Sequence, residues 1–278
     1  MALLDTSNGT WDSIRRELER LRTSGRKPGM FGEEAHGYRL NPPLPEEQVA
    51  SFEARYRVRL PTEYREFLLR LGNGGAGPYY GLFKLGEMDE GSEHGPWGES
   101  VGDLAKPFPH CQAWNDRSGC PEETQAADEE AYERALTEFE EKYFSPHVMD
   151  GAIPICHLGC AIRHWLVVSG PESGNVWCDD RASEGGIRPL QGKDGGRVTF
   201  SVWYRQWLDE ALAKLRTCNA ADRKQFWLVA GLLALGCLIA LFLLPAARTV
   251  PLGVRTVIGV ASIALSIAVA WLAMKKTP

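Results

Sequence analysis

Apolar residues recur at helical spacing in five segments of the first 216 residues. Such a repeat places side chains on one face of a helix, where they can pack against a core. Pro45 and Pro61 stand where a helix begins, because the first turn has no need of the proline N–H. The pattern therefore predicts five amphipathic helices. Their apolar stripes are Trp11, Ile14, Leu18 and Leu21; Val49, Phe52 and Tyr56; Tyr64, Phe67, Leu68 and Leu71; Tyr132, Leu136, Phe139 and Tyr143; and Trp203, Trp207, Leu208, Ala211, Leu212 and Leu215.

Before the last of these helices, the sequence takes on the character of β-strands. Ile153–Cys156 and Ile162–Ser169 are rich in apolar and β-branched residues, and we predict that they flank a turn at His157–Gly159. Asn175–Asp179 follows a glycine- and proline-containing turn signal and predicts a third strand. Helices first, strands next and a closing helix predict an α+β fold, with helices packed on a mainly antiparallel sheet.

A glycine-rich segment, GNGGAGPYYGLFKLGE, spans residues 72–87. Gly72, Gly74 and Gly77 fit the dinucleotide-binding spacing GxGxxG, but that motif must follow a strand and open a helix. Here the glycines follow a predicted helix and precede a strand-like stretch at Tyr80–Leu85. We therefore predict a tight helix-to-strand turn, with Gly72 as a left-handed helix cap, and no nucleotide site.

Two apolar segments in the last part of the sequence have the length of transmembrane helices. Phe226–Leu244 contains 19 residues without a charge. As a helix it would span about 28 Å, close to the hydrocarbon thickness of a bilayer. Val254–Ala273 follows after a short link. The two segments predict two transmembrane helices that form a hairpin, so a lipid bilayer is an expected partner of the chain.

The basic residues around these segments predict the orientation of the hairpin. More bases lie outside the hairpin than in its link, and the positive-inside rule places the richer side in the cytoplasm. The first residues also lack a basic stretch followed by an apolar one, so no cleaved signal is expected. We therefore predict a multi-pass protein of the cell inner membrane with cytoplasmic termini. The outer bases are Lys214, Arg216, Arg223, Lys224, Lys275 and Lys276, and those of the link are Arg248 and Arg255.

The charge of the chain is divided unevenly. The whole sequence has a formal charge of −5, but beyond Gln225 the only charged residues are four bases. Residues 1–225 therefore hold 27 bases and 36 acids, a net charge of −9. An acidic surface argues against direct nucleic-acid binding and favours a basic protein partner, although it also serves solubility alone.

Candidate catalytic and metal-binding residues are few. Cys156, His157 and Cys160 carry donor atoms that zinc prefers, but their spacing provides half of a site, and buried structural cysteines are the alternative. Asp179 and Asp180 offer a carboxylate pair, but neighbouring residues of a strand point to opposite faces. No GxSxG or HExxH signature occurs. We predict no catalytic residue, no metal site, no cofactor and no enzymatic activity.

One loop region combines aromatic rings with acidic side chains. Tyrosine and tryptophan rings supply binding hot spots, and acids steer a basic partner. We therefore predict a partner-binding surface in this region. The alternative is that Tyr80 and Trp97 are core residues that cover the sheet. The candidate residues are Tyr79, Tyr80, Glu87, Asp89, Glu90, Glu93 and Trp97.

Several segments together resemble the SUKH superfamily of Smi/Knr-type domains. They are, in order, LPTEYREFLLRLGNGG from Leu60, a strand ending in LVVSG, the strand VWCDD and the closing helix segment WYRQWL. The resemblance covers about 44–215 and implies an α+β fold with helices on a curved, mainly antiparallel sheet. It carries over no catalytic motif. The matched residues that look structural are Leu60, Pro61, Tyr64, Phe67, Asn73, Gly74, Gly75, Trp177 and Trp207.

Bacterial members of that superfamily are commonly immunity proteins, so the resemblance implies binding and neutralisation of a cognate polymorphic toxin, often a nuclease. Together with the charge and the hairpin, it predicts a membrane-anchored immunity protein that acts by stoichiometric occlusion of a basic toxin. The alternative is a membrane-tethered scaffold or regulator of cell-envelope or cell-wall assembly. The expected layout is an N-terminal helix and irregular extension at 1–43, a SUKH-like domain at 44–216 with an acidic helical insert at about 121–144, and the hairpin at 226–273.

Overall fold

The structure is a computed structural model of the chain, and it describes residues 8–90, 93–122, 127–243, 251, 260, 261, 264 and 268. The chain divides into two compact units. The first comprises residues 1–23 and 29–210, and the second comprises residues 24–28 and 211–278. Both β-sheets and the candidate site lie in the first unit.

The predicted helices are present, with one addition, one shifted start and a closing helix that continues past its predicted end to Leu243. All four residues of the first apolar stripe are buried along the first helix. The acidic helix begins at Glu129 instead of near 121, because Asp128 caps it by accepting a hydrogen bond from the Ala131 amide at 2.8 Å. A short helix within the stretch predicted to be irregular is the addition. The helices are α1 Asn8–Thr23, α2 Glu33–His36, α3 Glu46–Tyr56, α4 Thr62–Arg70, α5 Glu129–Tyr143 and α6 Phe200–Leu243.

The glycine-rich segment after α4 differs from the prediction at Gly72. Leu71 ends the helix with a φ of −106°, and Gly72 does not have a positive φ. A Cβ at Gly72 would lie 2.6 Å from the carbonyl oxygen of Asn41, so close backbone packing is what requires glycine there. The first left-handed residues of the segment are Gly74 and Gly75, with φ of 77° and 96°. The predicted cap at Gly72 is therefore wrong.

The strands form two antiparallel sheets. One is a hairpin of two strands, and the other has four strands in sequential order. In the larger sheet, Trp165 lies opposite Trp177 across the two central strands. Helices together with this four-stranded antiparallel sheet confirm the α+β class. The hairpin strands are β1 Glu87–Glu90 and β2 Glu93–Pro96, and those of the sheet are β3 Ala152–Gly159, β4 Ile162–Val167, β5 Val176–Asp180 and β6 Gly186–Pro189.

Two details of the strand prediction are wrong. The turn between β3 and β4 is at Cys160 and Ala161, because β3 continues through His157 and pairs Gly159 with Ile162. The stretch predicted as a strand at Tyr80–Leu85 forms only single bridges, from Leu82 to residues 75 and 156. The hairpin of β1 and β2 was not predicted, since its sequence EMDE…EHGP lacks β-branched residues.

Successive residues of a strand point to opposite faces of the sheet. Both faces of the four-stranded sheet are covered by other parts of the chain. Trp165, Val167 and Trp177 pack with Phe108 and Met149 in one buried cluster. On the other face, His164 meets the first turns of α6. The indole nitrogen of Trp203 donates to Nδ1 of His164 at 3.2 Å. This second face is the one that carries the candidate site.

Within the described residues, no helix is both long enough and apolar enough to cross a membrane. The predicted transmembrane hairpin is therefore not supported. Most of its second segment, Val254–Ala273, lies outside the described residues. The end of the first segment, Leu244, lies outside them as well.

Candidate protein-binding surface

Three large aromatic side chains lie together at the surface of the first unit. Phe31 is 63% exposed, Tyr79 is 37% exposed and Tyr80 is 39% exposed. The Phe31 ring centroid lies 6.3 Å from that of Tyr79 and 5.4 Å from that of Tyr80, edge to face in both pairs. We call these three residues the aromatic surface. Exposed rings in contact with one another mark interaction sites more often than single exposed rings do.

A buried carboxylate holds the backbone that carries Phe31. Glu33 is only 4% exposed, and its carboxylate accepts hydrogen bonds from three donors. These are the amides of Gly29 at 3.2 Å and Met30 at 3.1 Å, and the hydroxyl of Tyr38 at 2.5 Å. A buried charge is tolerated when hydrogen bonds replace its water, so this arrangement fixes the loop around Phe31.

Close backbone packing brings this loop against the two tyrosines. Gly32 has a φ of 77°, and a Cβ there would lie 2.4 Å from the carbonyl oxygen of Tyr79. Any residue other than glycine would therefore push the two segments apart. The contact between Phe31 and the tyrosines thus depends on Gly32 as well as on Glu33.

Two histidines of the sheet support the tyrosine rings from beneath. The Tyr79 ring lies 5.7 Å from the buried ring of His164, edge to face, and the Tyr80 ring stacks on His157 at 5.5 Å. Burial raises the pKa of Tyr79 and lowers the pKa of His164 to about 4, so both side chains are neutral at pH 7. The rings are therefore held before any partner arrives, which reduces the entropy lost on binding.

The turn between β3 and β4 borders the same surface. A Cβ at Gly159 would lie 3.7 Å from the ring of Tyr80. The next two residues, Cys160 and Ala161, have φ of 51° and 59°, which is the left-handed region. Two-residue hairpins of this kind favour asparagine and glycine, so other residues store strain. A strained, exposed turn beside exposed rings is a common feature of binding sites.

The structure separates the candidate residues predicted from the sequence. Tyr79 and Tyr80 belong to the aromatic surface, but Trp97 is 3% exposed. Its ring contacts Phe52 and Tyr56, each with a centroid distance of 5.8 Å, and its indole nitrogen donates to the Tyr56 hydroxyl at 3.2 Å. Trp97 is therefore a core residue that packs against α3.

The acidic candidates lie in the hairpin of β1 and β2. Glu87 is half-buried and pairs with Lys84 at 3.1 Å. Asp89 is in β1, and Glu90 of β1 lies opposite Glu93 of β2. The side chains of these last three acids lie outside the described part of the structure. The backbone pairing of β1 and β2 therefore brings these acidic residues near one another. The two tyrosines lie outside this hairpin.

Sequence reasoning missed two residues of the site. Phe31 is an isolated ring in a glycine- and proline-rich stretch that the pattern assigned to irregular chain. His157 was weighed only as a metal ligand, yet its ring is the platform for Tyr80. The signal that could have found Phe31 is its setting, since a large apolar residue in an exposed loop needs either a core or a partner to cover it.

The groups weighed for chemistry have structural partners. The Cys156 thiol is buried and donates to the Pro78 carbonyl oxygen at 3.1 Å. Asp179 forms two hydrogen bonds with the guanidinium of Arg181, at 2.8 and 2.7 Å, and Asp180 pairs with Arg188 at 3.0 Å. Among the described residues, no group of three or more His, Cys, Asp or Glu is placed to hold a metal ion.

The fold and the site define an α+β domain whose antiparallel sheet, flanked by helices, supports a cluster of exposed rings. The chain belongs to the SMI1 / KNR4 family (SUKH-1), whose model matches residues 43–190. A search of curated proteins and a search of solved structures each found no significant match. The matched region includes Tyr79, Tyr80 and His157, whereas Phe31 precedes it.

Proposed function

We propose that this chain is an immunity-type protein that binds one cognate protein toxin through the aromatic surface and neutralises it by occlusion. The exposed cluster of Phe31, Tyr79 and Tyr80 carries the proposal. Membership of the SUKH-1 family is consistent with an immunity role. Binding without chemistry also agrees with the partners that Cys156 and Asp179, two of the groups weighed for chemistry, have within the protein.

The physics of the aromatic surface favours a macromolecular partner. Rings near the centre of an interface supply most of the binding energy once a partner excludes water from them. Tyr79 and Tyr80 each present an apolar ring and a hydroxyl, so they can pack and donate a hydrogen bond at the same time. We infer that the partner packs a side chain across the exposed outer side of these rings and Phe31.

The charge of residues 1–225 favours a basic toxin over a nucleic acid. At a net charge of −9, the domain attracts a positively charged partner and repels the nucleic acid that such a toxin would cut. A basic nuclease is the class that fits best. The acidic hairpin at Glu87–Pro96 would then steer the approach while the rings supply the affinity.

Co-expression tests this proposal. The full-length chain is expressed with a candidate toxin encoded in its gene neighbourhood, as wild type or as the double variant Phe31→Ala and Tyr80→Ala. We expect the wild type to restore growth and the double variant to fail, since two ring truncations of hot-spot size weaken binding by about 100-fold or more.

Phe144→Ala is the matched control, because Phe144 is an equally large ring that is 45% exposed and lies at the end of α5. It is expected to protect as well as the wild type. Equal protection by the double variant would exclude the aromatic surface. If the wild type neither protects nor co-purifies with the toxin, the immunity role is wrong, and a scaffold of cell-envelope assembly becomes the better hypothesis.

The location of the chain is a separate part of the proposal and rests on the sequence pattern alone. We propose that Phe226–Leu244 and Val254–Ala273 hold the domain at the inner face of the cell inner membrane, with both termini cytoplasmic. Protease added to spheroplasts should then leave the domain intact until detergent is added. Digestion of residues 1–225 without detergent would contradict this orientation, and recovery of the whole chain in the supernatant would contradict the anchor.

A further inference from the structure

A concave surface lies along α1, and none of its lining residues belongs to the aromatic surface. It is a groove of about 370 Å³ between one face of α1 and the extended segment 38–43. Its floor is apolar, formed by Leu18, Leu40 and Leu71, and Pro42 and Pro43 form part of its rim. We call it the α1 groove.

Two positive charges in the α1 groove have no carboxylate partner among the residues that the structure describes. Arg15 is exposed and donates to the Arg70 carbonyl oxygen at 2.6 Å, a neutral acceptor. Arg39 is exposed, and within the part of the chain that the structure describes its guanidinium makes no ion pair or hydrogen bond. The third arginine, Arg22, forms two hydrogen bonds with Glu19, at 2.8 and 2.6 Å. The groove therefore carries a net positive charge.

The positive charge of the α1 groove is opposite in sign to the net charge of residues 1–225. Residues 1–225 have a net charge of −9, so solubility alone does not explain two guanidiniums without a described carboxylate partner in a groove with an apolar floor. Guanidinium groups are suited to carboxylates, which they bind through paired N–H donors. The leucines beneath them favour an aliphatic side chain, because covering apolar surface releases water.

We propose that the α1 groove binds an acidic peptide segment in which carboxylates alternate with aliphatic side chains. The carboxylates pair with Arg15 and Arg39, and one aliphatic side chain covers the floor at Leu18 and Leu71. A free inorganic anion would use the arginines but not the floor. A basic peptide would meet repulsion from the same two residues. The segment is thus opposite in charge to the partner of the aromatic surface.

Fluorescence anisotropy on the full-length chain tests the proposal. The probe is a fluorescein-labelled hexapeptide of alternating glutamate and leucine, compared with hexapeptides of alternating lysine and leucine and of alternating glutamate and serine. We expect saturable binding of the first probe only, weakened as salt is added because the arginines are exposed. The variant Arg39→Gln should weaken it by about tenfold, the effect of one charge-assisted hydrogen bond.

Arg59→Gln is the control, since Arg59 is an exposed arginine outside the groove and loses the same charge. It should leave the affinity within about twofold, which separates a specific contact from the effect of net charge. Equal weakening by Arg39→Gln and Arg59→Gln, or equal binding of the lysine probe, would overturn the proposal. So would an absence of saturable binding. Phe31→Ala and Tyr80→Ala should leave this affinity unchanged, so the result does not depend on the toxin-binding role.

Discussion

Two groups of aromatic rings in the same domain differ in exposure and, we infer, in purpose. Phe31, Tyr79 and Tyr80 lie at the surface, whereas Phe52, Tyr56 and Trp97 form a contacting group in which Trp97 is buried. In the first group, rings from two glycine-containing loops are in contact. In the second group, a ring from a glycine-containing loop contacts two rings of α3. The comparison shows that residue type and loop setting do not decide whether a ring serves the core or a partner.

The cause of the difference is what each loop packs against. At Tyr80, the sheet supplies His157 as a platform beneath the ring and leaves the outer side open. At Trp97, α3 supplies Phe52 and Tyr56 on one side and the chain closes around the indole. We therefore propose that the first group binds a partner and that the second stabilises the domain. Four changes test this division, from the largest expected effect to the smallest.

Truncation of Trp97 should give the largest loss of stability. We expect Trp97→Ala to lower the free energy of unfolding by about 3–5 kcal/mol, since it removes a buried ring and leaves a cavity. Tyr80→Ala should cost less than about 1 kcal/mol, because that residue is 39% exposed and its truncation leaves no enclosed cavity. Urea denaturation of the two variants measures both values. A larger loss for Tyr80→Ala would assign the exposed rings to the core.

Acid should destabilise the sheet beneath the exposed rings. Burial lowers the pKa of His164 to about 4 from its ordinary 6.5. Since the unfolded chain then binds the proton first, His164 contributes stability above pH 6.5 that is lost as the pH falls towards 4, by about 3 kcal/mol. His164→Gln should remove this part of the slope. Urea denaturation at several pH values measures it, and equal slopes in both proteins would contradict the assignment.

Loss of the Glu33 charge should loosen the loop of Phe31. In Glu33→Gln, an amide N–H₂ group replaces a carboxylate oxygen that accepts hydrogen bonds, so a buried donor loses its acceptor. We expect the free energy of unfolding to fall by about 1–3 kcal/mol. Toxin affinity should also fall, because Phe31 is no longer held against the tyrosines. Glu47→Gln, which neutralises an exposed carboxylate in the first turn of α3, is the control and should lower the free energy of unfolding by less than about 1 kcal/mol and leave the affinity unchanged. Unchanged affinity in Glu33→Gln would show that the loop does not position Phe31.

Thiol reactivity should give the smallest but most local signal. Cys160 at the β3–β4 turn is exposed, whereas Cys156 and Cys178 are buried, and burial raises the pKa of Cys178 to about 11. A maleimide should therefore label Cys160 early and the two buried thiols only after unfolding. Bound toxin should slow labelling of Cys160 and leave that of the exposed Cys111 unchanged. Mass spectrometry of the labelled peptides distinguishes these sites.

The periodic parts of the fold could be predicted from the sequence, and the parts set by close packing could not. The helix stripes and three strands follow from patterns that local burial imposes. The need for glycine at Gly72 comes from its close approach to Asn41, which is distant in sequence, and the turn at Cys160 follows from the pairing register of β3 with β4. Apolar length alone predicted a hairpin at the end of the chain, yet no helix among the described residues meets the requirement for crossing a membrane.

The aromatic surface could also be predicted only in part, because close packing decides which rings are exposed. Tyr79 and Tyr80 were found from their composition and setting, but Trp97 has the same composition and setting and is buried. Phe31 reaches the tyrosines only because Glu33 and Gly32 fold an otherwise featureless stretch against them. No local pattern encodes that approach, since it joins segments more than forty residues apart in the sequence.

Hydrogen exchange of the full-length chain, with and without the toxin, tests the central claim most directly. Binding at the aromatic surface should slow amide exchange in the peptides that cover residues 29–33, 78–81 and 157–162. Exchange in the peptide around Trp97 and α3 should stay as it is in the free protein. Protection at α3 and Trp97 with no change in the first three segments would contradict the account.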